Sequence, residues 1–187
     1  MRQHYDFILA GQWISSQRTA DVTDKFTGKV VAKVSQADGA AIDAAIAAAA
    51  QAATAMRRMP AYQRQRILQH VSTRLAQRLD EFADVICTES GKPIKDARSE
   101  VSRAIDTFHT AAEEAVRNTG ELLPLDNSER SRGYEGTVKR IPIGPCSFIT
   151  PFNFPLNLVA HKVAPAIAMG CPFVLKPAPQ TPVTALT

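Results

Sequence analysis

The sequence predicts an α/β fold whose last third forms part of an open parallel sheet. The run CSFIT, which ends at Thr150, is short, apolar and β-prone, and so is PFVLK, which ends at Lys176. Between them, apolar residues recur at helical spacing from Leu156 to Ile167, and Gly170 is typical of a helix end. A strand, a helix and a strand in this order pair in parallel through a right-handed crossover. Because so few strands leave apolar edges uncovered, we expect the sheet to be incomplete.

The N-terminal part of the chain predicts several strands. Alternating polarity and β-branched residues support YDFIL and QWI, which are separated by a turn at Ala10–Gly11. The same signals support DVTDKF and KVVAKVS, on either side of Thr27–Gly28.

An alanine-rich run from Gly39 to Met56 then predicts a helix. Asp38 is suited to cap its first turn, and Ile42 and Ile46 lie four residues apart on one face. Because alanine permits close approach, we expect this helix to pack against other elements.

Three further helices are predicted after the alanine-rich one. The first begins at Pro60. Its apolar stripe has three- and four-residue spacing and consists of Ile67, Leu68, Val71, Leu75 and Leu79. The second, EFADVICTES, has Asp80 as its predicted N-cap and Gly91 after its end. The third is long and stops at Asn118.

The segment from Glu121 to Arg132 has turn residues and no periodicity, which predicts a loop. After Gly133, the run YEGTVKRIPI alternates polar and apolar residues as an exposed strand does, and Gly144–Pro145 ends it. At the end of the sequence, TPVTALT begins another helix.

Composition and charge favour a soluble globular protein. With 187 residues, 45% of them hydrophobic, the chain can bury a core in one or two domains. The net charge is +4, but the lysines and arginines are spread along the chain and mixed with eighteen acidic residues, so we expect no nucleic-acid binding. The tightest basic cluster predicts a solvated helix face and consists of Arg57, Arg58, Arg64 and Arg66. The sequence shows no secretory signal and no uncharged run of about twenty apolar residues, so we expect a cytoplasmic protein and no membrane contact.

The cysteines and histidines show no metal-binding spacing. Cys87, Cys146 and Cys171 are widely spaced and odd in number, which favours buried free thiols over disulfides or a zinc site. Neither of the last two has a neighbouring histidine or a helix N-terminus that would stabilise a thiolate. The histidines, interpreted as surface or helix residues, are His4, His70, His109 and His161.

Two polar segments follow the predicted parallel strands, Thr150 to Asn153 and Lys176 to Gln180. Ligands of open α/β sheets bind beyond the carboxyl ends of the strands, so a polar ligand is expected there. The dinucleotide fingerprint G-x-G-x-x-G is missing, and topology alone does not define the ligand.

The runs PFNFPL and KVAPAIAMGCPFVLKPAPQTP resemble the aldehyde dehydrogenase superfamily in residue type and spacing. The resemblance extends through TESGKPIKDARSEV and, more loosely, through GKVVAKVSQADGAAIDAAIAAA. It implies the N-terminal portion of an aldehyde dehydrogenase-like fold, with an incomplete Rossmann-like parallel sheet, several helices and an oligomerisation hairpin. It also implies oxidation of an aldehyde to an acid: a cysteine thiolate adds to the carbonyl, hydride passes to a nicotinamide, and a glutamate activates water.

The resemblance implies a catalytic role for Asn153, whose side-chain amide would donate to the oxyanion formed by thiolate attack. From the residues alone, capping of the helix that follows Asn153 is the favoured interpretation.

The resemblance also implies a cofactor site. Lys176 would reach the hydroxyls of the adenosine ribose; its alternative is a surface lysine at a strand end. Backbone and apolar cofactor contacts, each with strand-end packing as its alternative, are implied for Ile149, Thr150, Pro151, Phe152, Pro177, Ala178 and Pro179. Many NAD-specific relatives have a glutamate where this chain has Pro179. Because a carboxylate there would repel a 2′-phosphate, its absence leaves NAD or NADP open and predicts tolerance of NADP.

The resemblance divides the chain into an N-terminal part of the cofactor-binding domain (1–120), an oligomerisation arm (121–142) and a first strand–helix–strand unit (143–187). The family's catalytic cysteine and glutamate lie beyond the matched region, so we expect this chain alone to be inactive and to act with a complementing C-terminal part or as a homo-oligomer. The alternative hypothesis is a non-catalytic interaction module whose exposed strand pairs with a partner. A nucleotide-binding remnant is a third hypothesis.

Overall fold

The structure is a computed structural model that describes residues 1–117 and 119–187. Helices and strands both contribute, which confirms the predicted α/β class. The strands are β1 (His4–Tyr5), β2 (Phe7–Leu9), β3 (Gln12–Ile14), β4 (Thr19–Thr23), β5 (Val30–Ser35), β6 (Glu121–Pro124), β7 (Glu135–Val138), β8 (Cys146–Ile149) and β9 (Phe173–Lys176). The α-helices are α1 (Gly39–Arg58), α2 (Ala61–Gln77), α3 (Leu79–Ser90), α4 (Ile94–Arg117), α5 (Asn157–Met169) and α6 (Val183–Leu186).

The predicted N-terminal strands form two small sheets. In the first, β5 pairs in parallel with β1 and antiparallel with β4. In the second, β2 and β3 form a hairpin whose turn has positive φ at Ala10 (50°) and Gly11 (81°). A two-residue turn in which both residues have positive φ matches the right-handed twist of the strands in a hairpin. The run YDFIL is therefore divided between two sheets instead of forming one strand.

The main core lies among α2, α3, α4 and α5. Its larger members are Leu68, Leu75, Phe82, Ile86, Val101, Phe108 and Leu156. The stripe predicted on α2 is confirmed at Leu68 and Leu75, whereas Ile67 is exposed. Ile67 lies outside the face of α2 that packs against α4 and α5.

The alanine-rich helix α1 packs only in part as predicted: it contacts β2 and β9, but Ala49 is the one buried residue of the helix. Asp38 caps it as expected, because its Oδ1 accepts from the Ala41 N–H at 2.8 Å. Ile42 and Ile46, however, are about half exposed, at 49% and 54%. By length and composition alone, α1 is also a helix of the kind that can cross a membrane, although Asp43 lies within it. The contacts with β2 and β9 therefore leave much of the α1 surface exposed.

The ends of the next helices are partly as predicted. Gly91 ends α3 with φ of 74°, a left-handed conformation that favours glycine. Asp80 is not the N-cap, because α3 already begins at Leu79 and Asp80 lies in its first turn, where its charge favours the helix dipole. The predicted stop at Asn118 falls outside the described residues, and α4 is assigned as far as Arg117.

The basic cluster is only partly a solvated face. Its exposed members are Arg57, Arg58 and Arg66. Arg64 instead donates from Nε to the Ala168 carbonyl at 2.9 Å, and its guanidinium also donates to the Met59 carbonyl. The last carbonyls of a helix lack backbone partners and attract cations, which explains why Arg64 lies at the end of α5.

The predicted loop after Gly120 contains a strand. β6 pairs antiparallel with β7, with Glu121 opposite Val138 and Pro124 opposite Glu135. A short 3-10 helix, Glu129–Ser131, lies in the connection. The predicted exposed strand YEGTVKRIPI is thus confirmed over only four residues. Short, fully exposed strands have no alternation of buried and exposed residues, so the periodicity test could not find β6.

Candidate functional site

The carboxyl ends of β8 and β9 lie side by side. The two strands are parallel, with Cys146 opposite Phe173 and Ile149 opposite Lys176. The Thr150 N–H extends the pairing by donating to the Lys176 carbonyl at 3.2 Å. The predicted strand–helix–strand unit is therefore confirmed, and the segments 150–153 and 176–180 leave the sheet from the same edge.

The polar side chains predicted for the site are accessible. Asn153 and Lys176 are both exposed. Within residues 1–117 and 119–187, the Asn153 amide has no hydrogen-bond partner and the Lys176 ammonium forms no salt bridge. A free amide and a free ammonium at one sheet edge are a suitable donor set for an anionic or hydroxyl-bearing ligand.

The other predicted contacts differ in exposure. Ile149 and Phe152 present apolar surface, at 68% and 55% exposure, and Pro151 and Pro179 are exposed as well. Thr150 and Ala178 are buried, so a ligand at this edge could reach little more than their backbone. Pro177 is half-buried.

Asn153 does not cap the helix that follows it. α5 begins at Asn157 without a cap from a neighbouring side chain in sequence. Its first amides are satisfied by Glu100 of α4, whose Oε1 accepts from the N–H groups of Leu156 at 2.9 Å and Asn157 at 3.1 Å. Since a carboxylate from another helix occupies the cap position, the capping alternative for Asn153 fails and its amide is left free.

Lys92 connects this cap to the Asn153 loop. Its ammonium forms a salt bridge with Glu100 and donates to the Asn153 carbonyl at 3.0 Å. The same ammonium lies 4.0 Å from the centre of the Phe154 ring, which also has the Arg103 guanidinium at 5.4 Å. Lys92 and Glu100 both belong to the run TESGKPIKDARSEV, but no sequence pattern predicted a role for either residue.

A second buried carboxylate has a similar position at α6. Glu89 of α3 accepts from the N–H groups of Val183 at 2.8 Å and Thr184 at 2.9 Å, and from the Thr184 hydroxyl. Burial raises the pKa of the Glu89 carboxyl above its usual value, against the opposing effect of these hydrogen bonds. This contact also had no local sequence signal, because its partners are 94 and 95 residues apart.

The cysteines do not form a nucleophilic site in the described part of the chain. Burial raises the pKa of the Cys146 thiol, and the neighbouring Cys171 thiol adds to the effect. A raised pKa disfavours the reactive thiolate. All three thiols are free, but only Cys171 is buried as predicted, whereas Cys87 and Cys146 are half-buried.

A serine, a histidine and an aspartate also meet near the N-terminus, but not as a catalytic relay. His4 Nε2 lies 3.1 Å from Asp6 Oδ1 and 3.0 Å from the Ser35 hydroxyl, and that hydroxyl donates to Asp6 at 3.2 Å. A relay needs one ring nitrogen for each partner. Because one nitrogen makes both contacts, the group is a strand-end hydrogen-bond cluster.

Comparison with known proteins shows that the relatives of this α/β chain are oxidoreductases. The family model described as "Aldehyde dehydrogenase family" matches residues 13–187. The chain therefore belongs to the aldehyde dehydrogenase family, as its resemblance implied. A curated relative, 3-sulfolactaldehyde dehydrogenase from Priestia aryabhattai, is 36% identical over 184 residues, which are 98% of this chain and 38% of the relative.

Solved structures agree with the fold. Aldehyde dehydrogenase 21 from Physcomitrella patens, in complex with the reaction product succinate, superposes with a TM-score of 0.97 at 55% identity, covering 100% of this chain and 39% of that one. The NADP-dependent glyceraldehyde-3-phosphate dehydrogenase from Bacillus halodurans C-125, complexed with NADP, has a TM-score of 0.92 at 29% identity, with 99% and 40% covered. The chain thus spans about two fifths of the length of its relatives, and its fold is that of their N-terminal part.

Proposed function

We propose that this chain supplies the oxyanion-binding amide and part of the cofactor site of an NAD(P)-dependent aldehyde dehydrogenase that oxidises an aldehyde to a carboxylic acid. One observation carries the proposal: the free Asn153 amide and the free Lys176 ammonium follow two paired parallel strands at one sheet edge. Ligands of open α/β sheets bind at such edges. The thiolate and the general base come from the remainder of the enzyme.

In this proposal Asn153 stabilises charge. When a thiolate adds to the aldehyde carbonyl, the carbonyl oxygen becomes an oxyanion, and the Asn153 side-chain N–H donates to it. An amide donor has no proton to lose at neutral pH, so it stays a donor throughout the reaction. Because the Asn153 side-chain amide forms no hydrogen bond within the described chain, no existing bond of that amide must break when the oxyanion forms.

Lys176 and its neighbours contact the cofactor in this proposal. The Lys176 ammonium donates to the hydroxyls of the adenosine ribose, and Ile149 and Phe152 offer exposed apolar surface beside it. A nicotinamide held there would supply the hydride acceptor. Pro179 places no carboxylate near the ribose, so a 2′-phosphate meets no repulsion there, and we expect the enzyme to accept NADP as well as NAD.

The three segments have separate roles in this proposal. Residues 1–120 and 143–187 belong to the cofactor-binding domain, and residues 121–142 form an oligomerisation arm in a cytoplasmic homo-oligomer. The β6–β7 hairpin supports an arm because Leu122 and Tyr134, at 66% and 65% exposure, present apolar surface to solvent. The same hairpin favours the alternative function, a non-catalytic module that binds a partner through this arm.

The test uses the whole enzyme, in which this chain is joined to or co-expressed with the C-terminal remainder of an aldehyde dehydrogenase. Aldehyde-dependent formation of NADH or NADPH is measured. Asn153→Ala should lower kcat by about a hundredfold to a thousandfold, the usual cost of one oxyanion donor. Gln69→Ala, which removes an exposed amide on α2, is the control and should leave kcat unchanged.

Three results would contradict parts of the proposal. If Asn153→Ala has the kcat of the wild type, Asn153 does not stabilise the oxyanion. An unchanged cofactor KM in Lys176→Met removes the ribose contact. Aldehyde oxidation by this chain alone rejects the division of catalytic groups and the non-catalytic alternative together.

A further inference from the structure

The Lys92 ammonium contacts the loop that presents Asn153 rather than an external ligand. It donates to the Asn153 backbone carbonyl at 3.0 Å, lies 4.0 Å from the Phe154 ring centre and forms a salt bridge with Glu100. The Lys92 side chain is 15% exposed and the Glu100 side chain is fully buried. A cation held on three sides, with so little access to water, has little freedom to leave this position.

Glu100 fixes the other end of the same loop. Its Oε1 accepts from the N–H groups of Leu156 and Asn157, at 2.9 and 3.1 Å, while Oε2 faces Lys92. A carboxylate at a helix N-terminus is also favoured by the helix dipole. Both ends of the segment 153–157 are therefore bound to the ion pair of Lys92 and Glu100. Glu100 lies within α4, and Lys92 lies two residues before α4 begins.

We propose that Lys92 and Glu100 are positioning residues that hold the Asn153 amide at the place where the oxyanion forms. This inference rests on the proposed role of Asn153. The Asn153 side chain has no hydrogen bond of its own in the described chain, so its direction depends on its backbone. That backbone is held through its carbonyl by Lys92.

The position of the Lys92 contact distinguishes a role in catalysis from a role in stability alone. If the salt bridge only stabilised the packing of α4 against α5, contacts of Glu100 with the α5 amides and with a neighbouring cation would be sufficient. The additional bond to the carbonyl of Asn153 itself orients the residue that is proposed to act. Displacement of a catalytic group by about 1 Å typically lowers a rate by about a hundredfold.

Lys92→Met in the whole enzyme tests this directly, because methionine keeps the apolar stem and removes the donor and the charge. We expect kcat/KM for the aldehyde to fall by about tenfold to a hundredfold, while the KM for the cofactor changes less than about twofold. Lys92→Arg, which keeps a cation and a donor, should recover much of the loss. Lys95→Met, on the exposed first turn of α4, is the matched control and should behave as the wild type.

A double-mutant cycle with Asn153→Ala separates positioning from general damage. If Lys92 acts through Asn153, Lys92→Met costs little more once the amide is gone, and the two effects are strongly non-additive. Independent, multiplicative losses would overturn the inference. Wild-type kcat/KM in Lys92→Met beside a slow Asn153→Ala would also overturn it while leaving the proposed function intact.

Two further outcomes are distinguishable. An Asn153→Ala enzyme with wild-type kcat overturns the proposed oxyanion role first, and the inference falls with it. If Lys92→Met does not fold, the cycle is run with Glu100→Gln, whose Oε1 can still accept from both α5 amides while its charge is lost. The same non-additivity is then required, and additive losses overturn the inference.

Discussion

α5 and α6 both begin at a buried glutamate from another helix, but the two carboxylates differ in what surrounds them. Glu100 accepts from two α5 amides and forms a salt bridge with Lys92. Glu89 accepts from two α6 amides and from the Thr184 hydroxyl, and no salt bridge to it is formed within the described residues. Glu100 therefore has a cation in direct contact, whereas the direct partners of Glu89 in the described part of the chain are neutral donors.

The difference shows that a buried glutamate capping another helix serves two purposes in this chain. At α6 the carboxylate satisfies helix amides at the cost of burial, which raises its pKa. At α5 the added lysine compensates the charge and reaches out to the loop of Asn153. The hydrogen bonds that cap the first turns of α5 and α6 are similar. What connects the α5 cap to the candidate site is the Lys92 ammonium.

Removing that cation should produce the largest effect on stability. Lys92→Met leaves Glu100 buried without a countercharge, and loss of one partner of a buried pair costs about 3 to 5 kcal/mol. Because Lys92 retains some exposure, we expect about 3 kcal/mol, measured by urea unfolding of the chain. Lys25→Met, which removes an exposed lysine on the Glu89 side, is the control and should cost less than about 1 kcal/mol. Equal losses in the two variants would contradict the distinction between the two carboxylates.

Thr184→Val should have the next largest effect, because valine keeps the shape and removes a donor to a buried carboxylate. Hydrogen bonds to charged groups contribute about 1.5 to 3 kcal/mol, and the variant should lose about that much. Thr107→Val is the control, since the Thr107 hydroxyl donates an exposed hydrogen bond to the Arg103 carbonyl within its own helix. Similar unfolding midpoints for the two variants would show that Glu89 does not depend on the hydroxyl.

Glu89 should also give the chain a pH dependence that Glu89→Gln removes. The pKa of Glu89 is raised in the folded state, so its protonated form favours folding. Its contribution is fully present below the unfolded pKa near 4.5 and is lost as pH rises through the higher folded pKa. Between the two pKa values, the stability of the wild type relative to Glu89→Gln should fall by about 1.4 kcal/mol per pH unit. A difference that stays constant from pH 4 to about 8 would contradict this sign.

Local patterns in the sequence predicted the elements that depend on near neighbours. Asp38 and Gly91 lie at helix ends because their own backbone or side chain forms the cap, and the strand–helix–strand unit followed from periodicity. The resemblance to the family located Asn153 and Lys176 at the strand ends.

Contacts between distant residues were not predictable in the same way. Glu100 lies 56 residues from Leu156, and Glu89 lies 94 from Val183, so neither contact leaves a periodic or spacing signal. The exposure of Ile42 was missed for the same reason, because helix propensity says nothing about which surface covers a face. Local propensity determined where helices begin and end, while tertiary packing determined how their ends are satisfied.

A helix capped by its own preceding residue should show the smallest effect of the series. Asp38 Oδ1 accepts from the Ala41 N–H at 2.8 Å on an exposed helix end, and Asp38→Ala removes this bond. Caps of this kind contribute about 1 kcal/mol, because water replaces the lost acceptor when the helix end is accessible. Urea unfolding should therefore place Asp38→Ala well above Lys92→Met in stability, with Asp38→Asn, which keeps the acceptor, close to the wild type. A loss as large as that of Lys92→Met would mean that burial and charge do not distinguish the remote caps from the local one.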